Sequence, residues 1–423
     1  TDFVAEKARD VYHYYYHQHY PADETLWARN HRRSPLYDRL AGLGAEFGEK
    51  NGWERVNFFR PGEPSRQAAD DQHQWGWGRA PYHDLIREEC LAARERVALF
   101  DMTSFGKFEV SGPGALGLLQ RVACNNVGRP VGSLVYTQFL NAHGGIESDL
   151  TVCRLAGDRF RVITGTSFLS NDLEWVRSHA PADGSVEVRD VTDDFACIGV
   201  WGPGARDVLG QATDDDISND AFPYLTARQL TVAGKPAWAQ RVSYVGELGW
   251  ELYLANTDAG AVWDALLELG QAHGIRPAGY KALDSLRLEK GYVYWSTDVT
   301  PEDNLLEGGL GFCADMAKSD FNGRDALAKR KEEGLQTRLR TVVLEGNALP
   351  AYGAESVWHD GEIVSRLRSA GHAHTIDRSI AYCYLPLVLA KPGVEVEIEL
   401  FGERVPATVT LPIHDPKGTR LKA

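Results

Sequence analysis

A six-residue motif occurs twice in this chain, and the repeat limits the possible folds more than any other feature. Val110-Ser-Gly-Pro-Gly-Ala115 returns ninety residues later as Val200-Trp-Gly-Pro-Gly-Ala205. Each copy predicts a strand, a Gly-Pro-Gly turn, and a helix with proline near its first turn. A helix N-terminus can hold an anion, but two equivalent copies favour a structural role. The sequence therefore predicts a duplicated α+β unit rather than two active sites.

The segments on either side of the duplicated units have different patterns. Residues 1–80 predict a helix over 3–20 followed by a linker or long loop rich in Pro and Gly. Beyond Leu335, short alternating runs separated by turns predict a small β-barrel over 336–423. The two related units then occupy 81–335, and the predicted fold class is α+β.

Two tryptophans, Trp75 and Trp77, lie in the predicted linker. They either anchor the loop to the core or form an aromatic wall for a substrate.

Composition excludes several functions. A net charge of −14 and a pI near 5.4 argue against nucleic acid or an anionic membrane as the main partner. The six cysteines are scattered without a Cys-x-x-Cys pair, which is typical of reduced thiols. No apolar run approaches the roughly 20 residues needed to span a bilayer. We therefore expect a cytoplasmic protein with neither a membrane nor a nucleic-acid partner.

Two histidine pairs have a spacing that could bind a metal. His13 and His17 are one turn apart on the predicted N-terminal helix, and His372 and His374 share one face of a predicted strand. The sequence indicates no further ligand for either pair. We therefore predict packing roles for these histidines and no metal site.

A predicted hairpin between Tyr136 and Asp149 is the first candidate for a functional site. Alternation before Asn141, a turn through Gly145, and a second run of alternating residues place Tyr136 and Asp149 on neighbouring strands. A phenol and a carboxylate could then flank one pocket, with the Gly-Gly pair allowing a ligand or the backbone to come close. The alternative is an ordinary hairpin with a surface aspartate.

A second candidate is the segment from Tyr244 to Tyr253, in which Glu247 and Glu251 stand on either side of Gly249-Trp250. A strand here would direct Glu247, Gly249 and Glu251 to the same face. A carboxylate is a bidentate acceptor for adjacent N–H donors, such as those on the edge of a pterin. Surface charges on a strand and turn are the alternative.

These two motifs resemble the signatures of the folate-dependent aminomethyltransferases, the glycine-cleavage T-protein family. Tyr, then Asn-x-x-Gly-Gly-x-x-x-Asp, matches at Tyr136 and Asp149, and Tyr-x-Gly-Glu-x-Gly-x-Glu matches at Tyr244 and Glu251. The resemblance implies a cloverleaf of duplicated α+β units and tetrahydrofolate as cofactor. It makes Asp149 the catalytic carboxylate, assisted by Tyr136 or Tyr244. It also makes Tyr136, Tyr244 and Glu251 folate-binding residues, with Glu251 binding the pterin ring.

One position departs from the family pattern. T-proteins have an Arg-Asp pair where this chain has Leu283-Asp284, on a predicted helix that ends at Gly291. The folate contact of that arginine could be supplied by Arg287. Arg287 could equally be a structural partner of Asp284 or Glu289.

The resemblance extends to one branch of the family and leaves the donor open. Tyr20-Pro21, Arg33-Ser-Pro-Leu-Tyr37 and the run from Phe100 to Phe108 are similar to the segment after the FAD domain in dimethylglycine oxidase and sarcosine dehydrogenase. The flavin-binding half has no counterpart in the sequence. One implied function is a tetrahydrofolate-dependent transferase that takes a methyl or methylene group from a small N-methyl, O-methyl or methylenedioxy compound, as in sesamin methylene transferase. The others are a folate-binding subunit or fragment that traps an iminium made by a flavoprotein partner, and a binding module without turnover.

Overall fold

A computed structural model gives the fold of the chain and describes residues 2–16, 20–21, 23–25, 27–67, 76–346 and 349–423. The helices are α1 Asp2–Tyr14, α2 Tyr37–Gly42, α3 His83–Glu95, α4 Ala115–Val122, α5 Leu169–Ser178, α6 Ala205–Gln211, α7 Asn256–Leu269, α8 Tyr280–Lys290 and α9 Arg324–Glu333. Within the described ranges, no helix is both long and apolar enough to cross a bilayer.

The strands form three sheets and a barrel. They are β1 Ala45–Lys50, β2 Trp53–Phe59, β3 Arg66–Gln67, β4 Ala98–Asp101, β5 Gly106–Ser111, β6 Leu134–Leu140, β7 Ile146–Ala156, β8 Arg159–Thr164, β9 Glu187–Asp190, β10 Phe195–Trp201, β11 Ala227–Val232, β12 Lys235–Gln240, β13 Gly249–Ala255, β14 Arg276–Ala278, β15 Thr337–Leu344, β16 Ser356–His359, β17 Glu362–Ala373, β18 Arg378–Pro386, β19 Glu395–Leu400 and β20 Glu403–Thr410.

Two of the sheets show the predicted duplication. The first has the order β6-β7-β8-β5-β9 and the second β11-β12-β13-β10-β4-β14. In each unit the leading strand, β5 or β10, is followed by a short helix and three antiparallel strands, the last of which pairs with the leading strand. The second sheet differs because β4 inserts beside β10 and pairs in parallel with β14. The predicted α+β duplication is confirmed.

The repeated Gly-Pro-Gly turns have the same geometry in both units. Gly112 and Gly202 adopt φ values of +109° and +139°, and each precedes the helix that the motif predicts. A Cβ on Gly112 would collide with the carbonyl oxygen of Ser185, and one on Gly202 with that of Arg96. The glycines are therefore required by close backbone approach as well as by φ.

The second sheet is buried on both faces. Trp250 and Leu252 of β13 pack with α6 and α7, while Tyr253 of the same strand packs in a cluster that holds residues of α3 and α8. Ile163 of the first sheet belongs to this second cluster. The two sheets therefore meet on the face that carries Tyr253.

The N-terminal segment differs in part from its prediction. The predicted helix over 3–20 ends at Tyr14. The amphipathic pattern of residues 83–99 also predicts a helix, and that helix ends at Glu95. The second ends early because Ala98–Phe100 is buried and pairs as a strand between β10 and β14. Pairing with distant strands thus overrides the local helical pattern.

The barrel over the last part of the chain is closed in the order β15-β18-β17-β16-β19-β20. Each strand predicted from alternation is present, and pairing of β15 with β20 completes the ring. Its interior is filled by apolar side chains, including Val342, Val357, Ile398 and Val409. The predicted small β-barrel is confirmed.

Trp77 packs against the edge of this barrel. Its ring centroid lies 5.9 Å from that of Tyr352 and 5.8 Å from that of Phe401. Trp77 is 43% exposed, so it lies on the surface of the barrel rather than in the core, and the choice between its two predicted roles stays a prediction. Trp75 and His17 lie outside the described residues.

Candidate functional site

The predicted hairpin is formed by β6 and β7, and its register places three polar side chains on one face. Gln138 stands directly opposite Asp149, and Tyr136, two residues before Gln138, lies on the same side of the sheet. Gln138 Nε2 donates to Asp149 Oδ1 at 2.7 Å. The Tyr136 hydroxyl lies close enough to the Asp149 carboxylate to lower its pKa. Asp149 thus lies between an amide donor and a phenol rather than standing as an ordinary surface residue.

The turn of the hairpin brings backbone rather than a ligand close to the glycines. Asn141 Oδ1 accepts the N–H groups of His143 at 3.0 Å and Gly145 at 2.9 Å. A Cβ on Gly145 would collide with the carbonyl oxygen of Pro301. The Gly-Gly pair therefore allows a distant loop to pack on the hairpin, which fixes its position relative to the rest of the site.

Burial changes the acidity of the hairpin residues. It raises the pKa of Asp149 from 3.8 to about 6, against the opposing effect of the hydrogen bonds from Tyr136 and Gln138. Burial, with the Asp149 carboxylate nearby, raises the pKa of the Tyr136 hydroxyl well above its usual value. At neutral pH the pair therefore holds a proton on the phenol beside a carboxylate that gains and loses protons readily.

In the second motif, Glu251 lies on a strand and Glu247 does not. β13 begins at Gly249, so Glu247 lies before the strand, and the expectation that Glu247 and Glu251 share a strand face is wrong. Glu247 is 1% exposed and pairs with His414 Nε2 at 2.7 Å and Arg420 at 3.2 Å. Arg94 lies 3.4 Å from Glu247, so two arginines from distant segments neutralise this carboxylate, and its role is to hold the C-terminal segment against the core.

Glu251 lies on the face of β13 that points toward the first sheet. Its Oε2 accepts the Tyr253 hydroxyl at 2.7 Å. Gly199 and Gln240 stand opposite Glu251 on the two adjacent strands, and the ring of Trp201 fills the space that a side chain at Gly199 would take. Burial raises the pKa of Glu251 to about 7, and the hydrogen bond from Tyr253 limits the rise. This carboxyl group is placed to accept hydrogen bonds from a bound molecule.

Gln240 and Trp238 are site residues that the sequence did not reveal. Both point to the same face as Glu251, since Gln240 pairs with Glu251 and Trp238 with Tyr253 across β12 and β13. The amide nitrogen and oxygen of Gln240 are buried without a hydrogen-bond partner among the described residues, whereas the indole of Trp238 lies beside the Cys153 thiol. Unpaired buried polar atoms are uncommon and mark a place where a ligand could supply the partner. The alternation Trp-Ala-Gln was their only signal, and it is no different from that of an ordinary strand.

Tyr244 is fixed on a tight loop between β12 and β13. Ser243 Oγ accepts backbone N–H groups from the loop, including that of Gly246 at 3.1 Å. The Tyr244 hydroxyl donates to the Val293 carbonyl at 3.2 Å, and its ring stacks on that of Tyr292. Burial raises the pKa of Tyr244, and the nearby charge of Asp149 raises it further. Tyr244 therefore belongs to the same site as Asp149.

The two halves of the site face one another. Ile163, on β8, shares the face of the first sheet that carries Tyr136, and it packs in one cluster with Tyr253 and Tyr244. Lys107, also on the first sheet, is close enough to lower the pKa of Glu251. The structure thus brings Tyr136, Tyr244 and Asp149 together, and it places Glu251 across the same interface between the sheets.

Arg287 makes the structural contacts that were one of its two predicted roles. Its guanidinium donates to Asp284 at 2.8 Å, to Asp298 at 2.6 Å and to Ser369 Oγ at 2.9 Å. It is 4% exposed. The partners come from α8, the following loop and the barrel, so Arg287 joins the barrel to the site. A direct contact with folate stays a prediction, and these bonds direct most of the guanidinium elsewhere.

Comparisons with known proteins identify the family. The description "GCVT N-terminal domain" matches residues 36–318, and "Glycine cleavage T-protein C-terminal barrel domain" matches residues 338–414. The chain belongs to the glycine cleavage T-protein family. Its members use tetrahydrofolate, as the resemblance implied. The first match begins within the segment predicted as residues 1–80, and that domain boundary stays a prediction.

Individual relatives agree with this assignment. The chain is 36% identical to human mitochondrial sarcosine dehydrogenase over 90% of its own length and 45% of that protein. It is 34% identical to the aminomethyltransferase of Halothermothrix orenii, over 76% of the chain and 89% of that enzyme. The crystal structure of aminomethyltransferase T from Bartonella henselae has the same fold, with a TM-score of 0.77 at 23% identity, over 92% of this chain and 99% of that one. The T-protein family chain described here thus spans about half the length of sarcosine dehydrogenase.

Proposed function

We propose that this T-protein family chain is a tetrahydrofolate-dependent one-carbon transferase. It moves a methyl or methylene group from a small N-methyl, O-methyl or methylenedioxy compound to tetrahydrofolate. The observation that carries the proposal is the half-buried Asp149, which lies between Tyr136 and Gln138 with a pKa raised to about 6, on a face that meets the second sheet.

The face around Glu251 fits a pterin. A pterin edge presents adjacent N–H donors together with acceptor nitrogen and oxygen atoms. The free capacity of the Glu251 carboxylate can accept the donors, and the Gln240 amide can donate and accept beside it. The buried amide atoms of Gln240, which have no partner among the described residues, would then be satisfied by the bound molecule.

Proton transfer at the reacting carbon falls to Asp149 and the two tyrosines. Tetrahydrofolate supplies the amines N5 and N10, which accept a one-carbon unit. The Asp149 carboxylate accepts the proton that an amine must lose, or stabilises positive charge beside it. The hydroxyl of Tyr136 or Tyr244 stays protonated and can donate to the departing heteroatom of the donor. Enclosure between the sheets excludes water from this step.

A second candidate has one observation in its favour. The chain corresponds to less than half of human sarcosine dehydrogenase, whose name describes a dehydrogenase. In this case the same residues would trap an iminium or formaldehyde, released by a flavoprotein partner, as 5,10-methylenetetrahydrofolate. The roles of Asp149 and Glu251 are unchanged, and only the source of the carbon differs.

Calorimetric titration with tetrahydrofolate tests both candidates. We expect specific binding to the full chain and to Asp149→Asn, and weaker binding to Glu251→Gln. An absence of binding to the full chain would refute both functions. Asp158, exposed in the β7–β8 turn, provides the matched Asp158→Asn control, which should behave as the parent does.

A panel of donors with mass detection of the folate product then separates the two. Conversion of an N-methyl, O-methyl or methylenedioxy compound by the chain alone supports the transferase. Product formed only from formaldehyde or from an iminium generated by an added flavoprotein supports the second candidate. In either case Asp149→Asn should lower the rate by about 10²–10⁴-fold, and an unchanged rate would remove Asp149 from the mechanism.

A further inference from the structure

Three histidines from distant parts of the chain meet at the junction between α3 and the barrel. His83 is the first residue of α3, His372 lies on β17, and His374 follows that strand directly. Their ring centroids are separated by 4.6 Å (His83 and His372), 4.7 Å (His83 and His374) and 4.9 Å (His372 and His374). The sequence predicted packing for His372 and His374 because it gave no indication that His83 would join them.

The cluster contains an unsatisfied buried nitrogen. His374 is 4% exposed, and its Nδ1 has no hydrogen-bond partner among the described residues. If the three rings only pack together, this unsatisfied nitrogen destabilises the fold by about 1–3 kcal/mol. A ligand bound to the nitrogen would remove that penalty.

A supporting carboxylate is also present. His372 Nε2 lies 3.0 Å from Asp377 Oδ1. In metal sites a ligating histidine almost always donates its second N–H to a carboxylate, carbonyl or water, which fixes the ring and its tautomer. The bond to Asp377 leaves Nδ1 of His372 as the atom available to a ligand.

The distances suit a metal ion after a small contraction. One ligand atom from each histidine lies within 4.8 Å of the others. Tetrahedral zinc with Zn–N bonds of about 2.0–2.1 Å requires nitrogens about 3.4 Å apart. Rotation of the three side chains can supply this movement, and His83 is half-buried at the start of its helix.

We propose that His83, His372 and His374 form a binding site for a divalent transition metal, with Zn²⁺ as the favoured ion. Three imidazoles and no thiolate match the ligand preference of zinc and its neighbours. His83 and His372 also line a cavity of about 470 Å³, together with Tyr82, Asp284 and Ser379. The cavity has room for a water or a small anion as the fourth ligand, as in zinc sites that keep one position open.

The surrounding charges do not oppose the site overall. Arg79 and Arg87 lie within electrostatic range of the rings, but so do the carboxylates of Asp84, Asp377 and Glu289. With cations and anions both present, coordination by the three imidazoles decides the affinity.

Titration of the untagged, metal-free full chain with Zn²⁺ tests the proposal. We expect one equivalent to bind, and Co²⁺ to give the visible absorption of a four-coordinate site. His83→Phe and His374→Phe keep an aromatic ring but remove the ligand, so each should weaken zinc binding by more than about 100-fold. Asp377→Asn should weaken it by about 10–100-fold. His359→Phe, elsewhere on the barrel, should leave it unchanged.

Circular dichroism of the metal-free variants establishes that they fold. Should His374→Phe unfold, the half-exposed His83→Phe carries the test alone. An absence of stoichiometric zinc binding, or binding that survives His83→Phe undiminished, would overturn the site. Folate binding is measured separately, and its presence or absence does not bear on this result.

Discussion

Replacement of Asp149 by asparagine should reduce transfer activity while the protein stays folded. It should also change how the free energy of unfolding depends on pH. Asparagine has the same shape, its amide oxygen can still accept from Gln138, and its amide nitrogen can donate to the Tyr136 hydroxyl oxygen, so the hairpin keeps its packing. What it loses is the ability to ionise in a buried position. We therefore expect a folded protein with strongly reduced transfer activity and an altered dependence of stability on pH.

The sign and size of the effect follow from the pKa. Folding raises the pKa of Asp149 from 3.8 to about 6, so between these values the folded protein retains a proton that the unfolded chain has released. The free energy of unfolding of the parent therefore falls as pH rises through this window. A rise of about two units corresponds to about 3 kcal/mol at 1.36 kcal/mol per unit. Asp149→Asn cannot ionise at this position, so its free energy of unfolding should not show this fall.

Urea denaturation from pH 4 to pH 8 measures the difference. Relative to the parent, Asp149→Asn should gain up to about 3 kcal/mol in the free energy of unfolding between the two ends of the range. Most of the gain should appear between pH 4 and pH 6. The surface variant Asp158→Asn should show no such trend. A difference between Asp149→Asn and the parent that is independent of pH would refute the buried, proton-retaining state of this carboxyl.

Three further substitutions test the Gly-Pro-Gly turn, the Glu247 ion pairs and the role of Glu251. Gly202→Ala should lower the free energy of unfolding by at least about 2 kcal/mol, because Gly202 has a positive φ and lies against the carbonyl oxygen of Arg96. The control Gly117→Ala, in an open helical position, should raise it by about 0.5–1 kcal/mol. Equal effects of the two substitutions in urea denaturation would contradict the close approach at Gly202. Glu247→Gln should lower the free energy of unfolding by about 1–3 kcal/mol, since the buried Arg94 loses one carboxylate partner and keeps only Glu289, and a melting temperature like that of the parent would argue against this network. Glu251 has a pKa of about 7, so affinity for tetrahydrofolate should fall toward tenfold per pH unit below pH 7 if its ionised form binds the pterin; titration of Glu251→Gln should lack this dependence.

Much of the architecture could be predicted from local patterns. The duplicated Gly-Pro-Gly motif, the hairpin and the barrel all depend on turn residues and on alternation with a period of two, which are properties of short segments. The predictions of secondary structure were wrong where pairing with distant strands decided the local conformation. Ala98–Phe100 continued a helical pattern but became a strand, because β10 and β14 provide hydrogen-bond partners on both of its sides.

The site was predictable only in part for the same reason. Tyr136 and Asp149 lie on adjacent strands of one hairpin, so their register could be predicted from nearby residues. Gln240 acquired its place beside Glu251 only through pairing of two strands separated by the Tyr244 loop. Glu247 and Glu251 could not be told apart in the sequence, because the cationic partners of Glu247, Arg94 and Arg420, lie far from it along the chain.

The sequence by itself determined the duplicated scaffold, the barrel and the hairpin that presents Asp149, because glycine turns and alternating polarity act over a few residues. The tertiary structure alone decided which carboxylates are neutralised, which amide is left without a partner, and that His83 meets His372 and His374. Charge, burial and coordination depend on what lies within a few ångströms in space. That neighbourhood is set by packing of segments that are far apart along the chain.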